Sequence, residues 1–184
     1  MKREELYPIK YLSFNEWDKL KSHKKLSRDD LILHILYYTG CTVNELVNIK
    51  IKDIDFRNQF LHIRKSSSRN NYHRRVFLSQ KVLDKINTYL KENPSSEYLF
   101  STRQSRKMTT KRVRQIVQSL CLQINIKDAT PQILRYTHIA HAYQKNIPVD
   151  AIQKQVGIRR SRAIEIFNQL KMTKLKDAYR EFEV

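Results

Sequence analysis

The sequence predicts a mainly helical α+β chain carrying one small antiparallel sheet. Three observations predict it. Apolar residues recur three and four positions apart over most of the length, only the stretch from Gln59 to Leu78 alternates as strands do, and helix-starting residues stand ahead of several of the periodic stretches. With 184 residues the chain is expected to form a single domain that buries its own core. Its Lys and Arg number 36 against 18 Asp and Glu, a formal charge of +18 that attracts polyanions, so nucleic acid leads the partner classes. The most apolar run, Leu31 to Tyr38, is too short to span a bilayer, and a membrane-surface protein would need an amphipathic anchor. The first ten residues, MKREELYPIK, lack the apolar core of a signal peptide, and a cytoplasmic location is expected. Cys41 and Cys121 fit no metal-ligand spacing and are read as reduced core residues. Two glycines in the whole chain argue against a P-loop or a dinucleotide fold.

Taken in order, Ser13 to Glu16 is a Ser-x-x-Glu capping box that starts a short helix reaching Lys21, with Phe14, Trp17 and Leu20 turned inward. Ser27 is expected to cap a second helix, Arg28 to Tyr38, apolar on most sides and therefore central. Thr42-Val-Asn-Glu45 is another capping box. Phe60 to Ile63 and Val76 to Leu78 read as a hairpin whose connection carries Arg64, Lys65, Arg69, Arg74 and Arg75 and suits phosphate contact. A helix from Gln80 to Glu92 stops before Pro94, and Tyr98 to Phe100 is a candidate third strand. Arg103, Arg106, Lys107, Lys111, Arg112 and Arg114 then lead into a helix whose other face is Val113, Ile116, Val117 and Leu120. No acid from Ser101 to Gln123 offsets these cations, which favours a DNA-facing helix over a merely solvated one.

Thr130 and Pro131 open the next helix, with Ile133, Leu134, Thr137 and His141 as its apolar stripe and Arg135 beside it. Arg135 is free to pair with Glu45 or Asp53 as an ordinary structural cation. His138 and His141 share a face without a third ligand and are read as packing or surface residues. Pro148 to Val156 forms a short helix closed by Gly157. Arg159, Arg160 and Arg162 come next. Ser161 is expected to cap a helix bearing Ala163, Ile164 and Phe167, and Thr173 to start a last one whose stripe, Leu175, Ala178, Tyr179 and Phe182, packs onto its own domain or onto a second protomer.

Two stretches carry a resemblance. TGCTVNELVNIKIKDIDF, from Thr39 to Phe56, is similar to the TGLRxxELxxLxxxDI box of the tyrosine recombinase or phage integrase family at Thr39, Gly40, Glu45, Leu46, Asp53 and Ile54. The segment from Thr130 to Phe167 resembles that family's TPHxLRHTxAT box, with the helix and turn after it, at Thr130, Pro131, Leu134, Arg135, Thr137, Gln153 and Gly157. The resemblance covers nearly all of the chain, and it implies a catalytic-domain-like fold without the separate DNA-clamping N-terminal domain.

In that family a Tyr attacks a DNA phosphodiester, two Arg and one or two His, Lys or Trp residues stabilise the charge, a Lys protonates the leaving oxygen, and no metal or other cofactor takes part. By resemblance, Arg135 is a retained phosphate-binding Arg and Lys65 stands near the place of the Lys, where an ordinary surface Lys is the equal alternative. Four catalytic positions are replaced: Thr42 for an Arg, Gln132 for His or Lys, Ile158 for His or Trp, and Phe167 for the Tyr. Thr42 has no fork of donors with which to hold a phosphate, and Phe167 has no oxygen with which to form a covalent intermediate. The implied function is a non-catalytic DNA-binding protein gripping duplex DNA. The alternatives are a strand-transferase that uses a displaced Tyr136, Tyr143 or Tyr179 or residues from another subunit, and an interaction module that regulates an active recombinase.

Overall fold

The second helix is the axis of the fold because its sequence leaves no polar side to spare. In the computed structural model, which describes residues 9–23, 25–64, 73–94, 97–102 and 105–182, α2 (Ser27–Thr39) buries six consecutive residues, Leu31 to Leu36. Before it, α1 (Phe14–Ser22) begins at the expected capping box, in which the Ser13 hydroxyl accepts from Glu16 N at 3.2 Å and the Glu16 carboxylate accepts from Ser13 N at 2.7 Å. Trp17 and Leu20 are buried as expected. Phe14 is not: it lies 41% exposed and stacks on His141, with ring centroids 3.8 Å apart. Ser27 is not a cap either, since it is already helical and Leu26 precedes it without a side-chain hydrogen bond.

After α2 comes α3 (Val43–Val47), started by Thr42, and a single 3₁₀ turn, Ile51–Asp53. The sheet has three antiparallel strands in the order β1 (Ile54–Asp55), β2 (Phe60–Arg64), β3 (His73–Phe77), with Leu61 opposite Val76 and Ile63 opposite Arg74. Tyr98 to Phe100 does not join it. Tyr98 pairs with Lys50 in an isolated bridge outside the sheet, and Leu99 N donates to Ile49 O at 2.9 Å. The chain continues through α4 (Gln80–Glu92) and α5 (Thr110–Leu122), both packed on α2. Next come α6 (Pro131–Gln144), α7 (Val149–Val156) and α8 (Arg160–Phe182). Helix α8 runs unbroken where two helices are predicted. The Thr173 hydroxyl donates to Gln169 O at 3.1 Å, back-bonding to the preceding turn instead of starting a new one.

Two apolar clusters result. The larger gathers residues from α1 to the start of α6 around α2. The smaller joins α6, α7 and the first part of α8 through Ile139, Ile152, Val156, Ile166 and Leu170. Residues 171–182 of α8 lie beyond it and are all exposed, so the predicted stripe of Leu175, Ala178, Tyr179 and Phe182 does not pack onto its own domain. Among the described residues no helix is long and apolar enough to cross a membrane. Cys41 and Cys121 are buried free thiols.

Candidate functional site

Four elements meet at one place. The N-terminus of α3, the paired ends of β2 and β3, and α7 with the turn after it enclose a cleft of about 540 Å³, lined by Glu45, Ile63, Arg74, Asp150, Gln153, Lys154, Gly157, Ile158 and Arg159. Thr42 fixes the first wall. Its hydroxyl accepts from Glu45 N at 3.2 Å while the Glu45 carboxylate accepts from Thr42 N at 2.7 Å. The same carboxylate takes both amino groups of Arg74. Burial alone would raise the Glu45 carboxyl, but hydrogen bonds and charge from Arg74, with hydrogen bonds from Thr42, hold it below the usual carboxylate range.

Arg74 is thus no free surface cation of the hairpin. It is 8% exposed, and its Nε donates to Gln155 O at 3.1 Å. Gln155 also bridges to the strand from its side chain, accepting from Phe77 N at 3.0 Å and donating to Phe77 O at 3.1 Å, which clamps α7 against β3. Neither Gln155 nor the cleft residues Asp150 and Lys154 stood out in the sequence. They lie on a polar helix face with no motif of their own.

Arg135, 6% exposed, reaches the same seam from α6. It pairs with neither Glu45 nor Asp53: its Nη1 donates to Gly40 O and to Val156 O, the latter at 2.8 Å. Burial pulls its guanidinium below the ordinary value, Glu45 opposes that pull and Arg74 adds to it. Both glycines of the chain sit here with left-handed backbones, Gly40 at φ 59° and Gly157 at φ 66°. A Cβ on Gly40 would stand 2.4 Å from Val156 Cγ1, and one on Gly157 would stand 2.7 Å from Arg74 Cδ.

The four positions that the resemblance marks as replaced are not all brought together. Thr42 caps α3 at the cleft wall and Ile158 lines the cleft, whereas Gln132 is exposed on the first turn of α6 and is not among the lining residues. Phe167 faces the smaller core, 8% exposed, its ring centroid 5.6 Å from that of Tyr143. None of the three candidate tyrosines lines the cleft. The Tyr136 hydroxyl accepts from Arg162 Nη2 at 2.8 Å, Tyr143 packs against Phe167, and Tyr179 is 63% exposed on α8. His141 packs as expected, with Nε2 2.9 Å from Leu12 O and Nδ1 2.9 Å from the Tyr37 hydroxyl.

Of the cations expected to meet DNA, Lys65, Arg69 and Arg103 lie outside the described residues. Arg64 sits 3.0 Å from Asp53, Arg75 lies over the Phe60 ring, and Arg162 is paired with Glu165 at 2.6 Å. Arg106, Lys107, Lys111, Arg112, Arg159 and Arg160 are exposed. Lys107 Nζ donates to Asn48 Oδ1 at 2.8 Å, which sets the approach to α5 against the end of α3. Lys111 and Arg112 on α5 have no acidic partner among the described residues.

Comparison with known proteins agrees with this architecture. The profile of the phage integrase family matches residues 10–174. A tyrosine recombinase XerA of Pyrococcus furiosus is 33% identical over 155 residues, 82% of this chain and 53% of its own length. The XerA of Pyrococcus horikoshii is 30% identical over 173 residues, 92% of this chain and 60% of its own. The chain therefore spans between half and two thirds of these curated relatives. A crystal structure of XerA recombinase superposes with a TM-score of 0.79 at 24% identity, over 95% of this chain and 65% of that one. The XerH site-specific recombinase bound to a palindromic difH substrate gives 0.80 at 19% identity, over 97% and 54%. With the family profile covering all but the two ends, and with a helical body around a three-stranded sheet that matches these structures, the chain belongs to the phage integrase family of tyrosine recombinases.

Proposed function

We propose that this chain binds duplex DNA in a recombination or integration setting and does not cleave it. The observation that carries the reading is the contrast between cations and nucleophiles. Exposed Lys111 and Arg112 have no acidic partner among the described residues, while Phe167, which by resemblance stands at the tyrosine's place, lies in the smaller core, and among the described residues no tyrosine lines the cleft. A surface of this kind holds a phosphate backbone by charge. Among the described residues that line the cleft, none supplies a hydroxyl or thiol to attack it. The DNA carried by the XerH structure supports the choice of partner.

The test is fluorescence anisotropy on duplex DNA across a salt series, with wild type beside a Lys111→Gln/Arg112→Gln variant. Wild type is expected to bind with log K falling by about 0.9 per phosphate neutralised for each decade of salt, and the variant to show a shallower slope. A denaturing gel after incubation is expected to show no covalent protein–DNA band. Such a band would establish the strand-transferase reading instead.

The exposed stripe of α8 favours a second reading, an interaction module that meets an active recombinase. Leu175 is 48%, Tyr179 63% and Phe182 86% exposed. Titration of this chain into a working recombinase reaction tests it, and unchanged recombination would remove it.

A further inference from the structure

We propose that Arg74 is the side chain that presents a guanidinium to a DNA phosphate in the cleft, with Glu45 holding it in position and competing with the phosphate for it. The proposal rests on the duplex-binding reading above. It assigns the contact to a buried residue of β3 in place of the exposed cations alone.

A guanidinium has five N–H donors in a flat fork. Arg74 commits one from Nε to Gln155 O, one from Nη1 to Glu45 Oε1 and one from Nη2 to Glu45 Oε2. The second hydrogens of Nη1 and Nη2 have no partner among the described residues, and Arg74 lines the cleft. These two hydrogens point to different flanks of the guanidinium, and one of them suits a single oxygen of a phosphodiester. Lys154 and Arg159 line the cleft as exposed cations, Lys154 lying 3.6 Å from Asp150, which with Glu45 makes up the carboxylates among the described lining residues.

The side chain is also aimed. Ile63 is its register partner on β2, Gln155 fixes Nε, and Gly157 leaves the room that any Cβ would take from it. The neighbouring carbonyl, Val156 O, holds Arg135. Consecutive carbonyls at the C-terminal end of α7 therefore anchor two guanidiniums side by side. An ion pair kept only for stability gains little in such a place, because desolvating both partners cancels much of their attraction. A pair beside a cleft, with donors left over, has a further use.

The competition makes the idea testable in a way that a purely structural pair does not imitate. Glu45→Gln keeps the capping box, which accepts Gln as readily as Glu, and removes the charge that competes for Arg74. Duplex binding is measured over a salt series for wild type, Glu45→Gln, Arg74→Gln and the double variant, each checked for folding by thermal melting. Arg74→Gln is expected to weaken binding roughly three- to tenfold and to reduce the salt slope by about 0.9, the share of one phosphate. Glu45→Gln is expected to strengthen binding several-fold, and the double variant to behave as Arg74→Gln does. If Arg74→Gln leaves an unpaired Glu45 that unfolds the protein, the double variant carries the comparison, since it removes both charges together.

Wild type and the Arg74 variants binding with the same affinity and slope would overturn the assignment while leaving the DNA reading intact. A Glu45→Gln protein that binds no tighter than wild type would overturn the competition. Failure of wild type itself to bind duplex DNA at moderate salt would remove the DNA reading, and this proposal with it.

Discussion

Arg135 and Val156 are joined by a hydrogen bond of 2.8 Å that spans 21 residues and ties the start of α6 to the last turn of α7. The same Nη1 also serves Gly40 O at the end of α2, so one buried guanidinium satisfies carbonyls from two helix ends. Arg135→Ala strands both carbonyls. It is expected to cost about 3–6 kcal/mol of unfolding free energy, at roughly 1.5–3 kcal/mol for each of the two charge-assisted bonds. Urea denaturation measures it, and a loss under about 0.5 kcal/mol would show that water replaces the guanidinium without penalty. Any DNA-binding defect of this variant has to be read after that correction.

A tyrosine placed at Phe167, where the resemblance sets the family's nucleophile, is expected not to cleave DNA. Phe167 packs among Ile166, Leu170 and Tyr143, away from the cleft lining. Phe167→Tyr would place a hydroxyl in this core, and burying it without a partner costs about 1–3 kcal/mol. The expected result is a lower melting temperature and no covalent DNA band on a denaturing gel. A band would mean that α8 turns this side chain into the cleft on DNA.

Burial, with the nearby charge of Arg135 in the same direction, pushes the His138 imidazole down to about 4. The unfolded chain, with an ordinary value of about 6.5, takes up its proton first as pH falls. The stability this residue contributes is therefore complete above about pH 6.5 and is lost progressively between about 6.5 and 4, a loss on the order of 2–3 kcal/mol. Glu45, held low, contributes in the same sense at more acid pH, its share lost below the ordinary carboxylate value. Denaturation curves of wild type and His138→Gln across this range check the point. The variant is expected to show a flatter profile between pH 4 and 6.5.

Residues 171–182 are exposed throughout, so removing the chain from Thr173 onward is expected to change unfolding free energy by no more than about 0.5 kcal/mol. A larger loss, seen by urea denaturation at low protein concentration, would mean that the distal part of α8 supports the fold.

Local chemistry was legible in the sequence. The Ser13–Glu16 and Thr42–Glu45 boxes, the bounds of α4 and the left-handed close of α7 at Gly157 all depend on residues within a few positions of one another. Strand β1 was missed because two residues, Ile54 and Asp55, are too few to show alternation. Ser161 and Thr173 suggested helix starts, because a hydroxyl that can cap can also bond back into a continuing helix, as that of Thr173 does. At the site, Arg135 was visible through its motif, but its carbonyl partners were not. Arg74 was visible only as one basic residue of a basic hairpin. Its pairing with Glu45 spans 29 residues, and the bridge from Gln155 to Phe77 spans 78. No spacing rule reaches that far.

Both glycines stand at this seam, each on a left-handed backbone and each with its missing Cβ replaced by a neighbour's side chain. A saturation scan read out by folding should therefore find its sharpest intolerance around the cleft at positions 40 and 157, ahead of many charged residues there. The positions that tolerate least would be the two that contribute no functional group, because what they supply is vacancy.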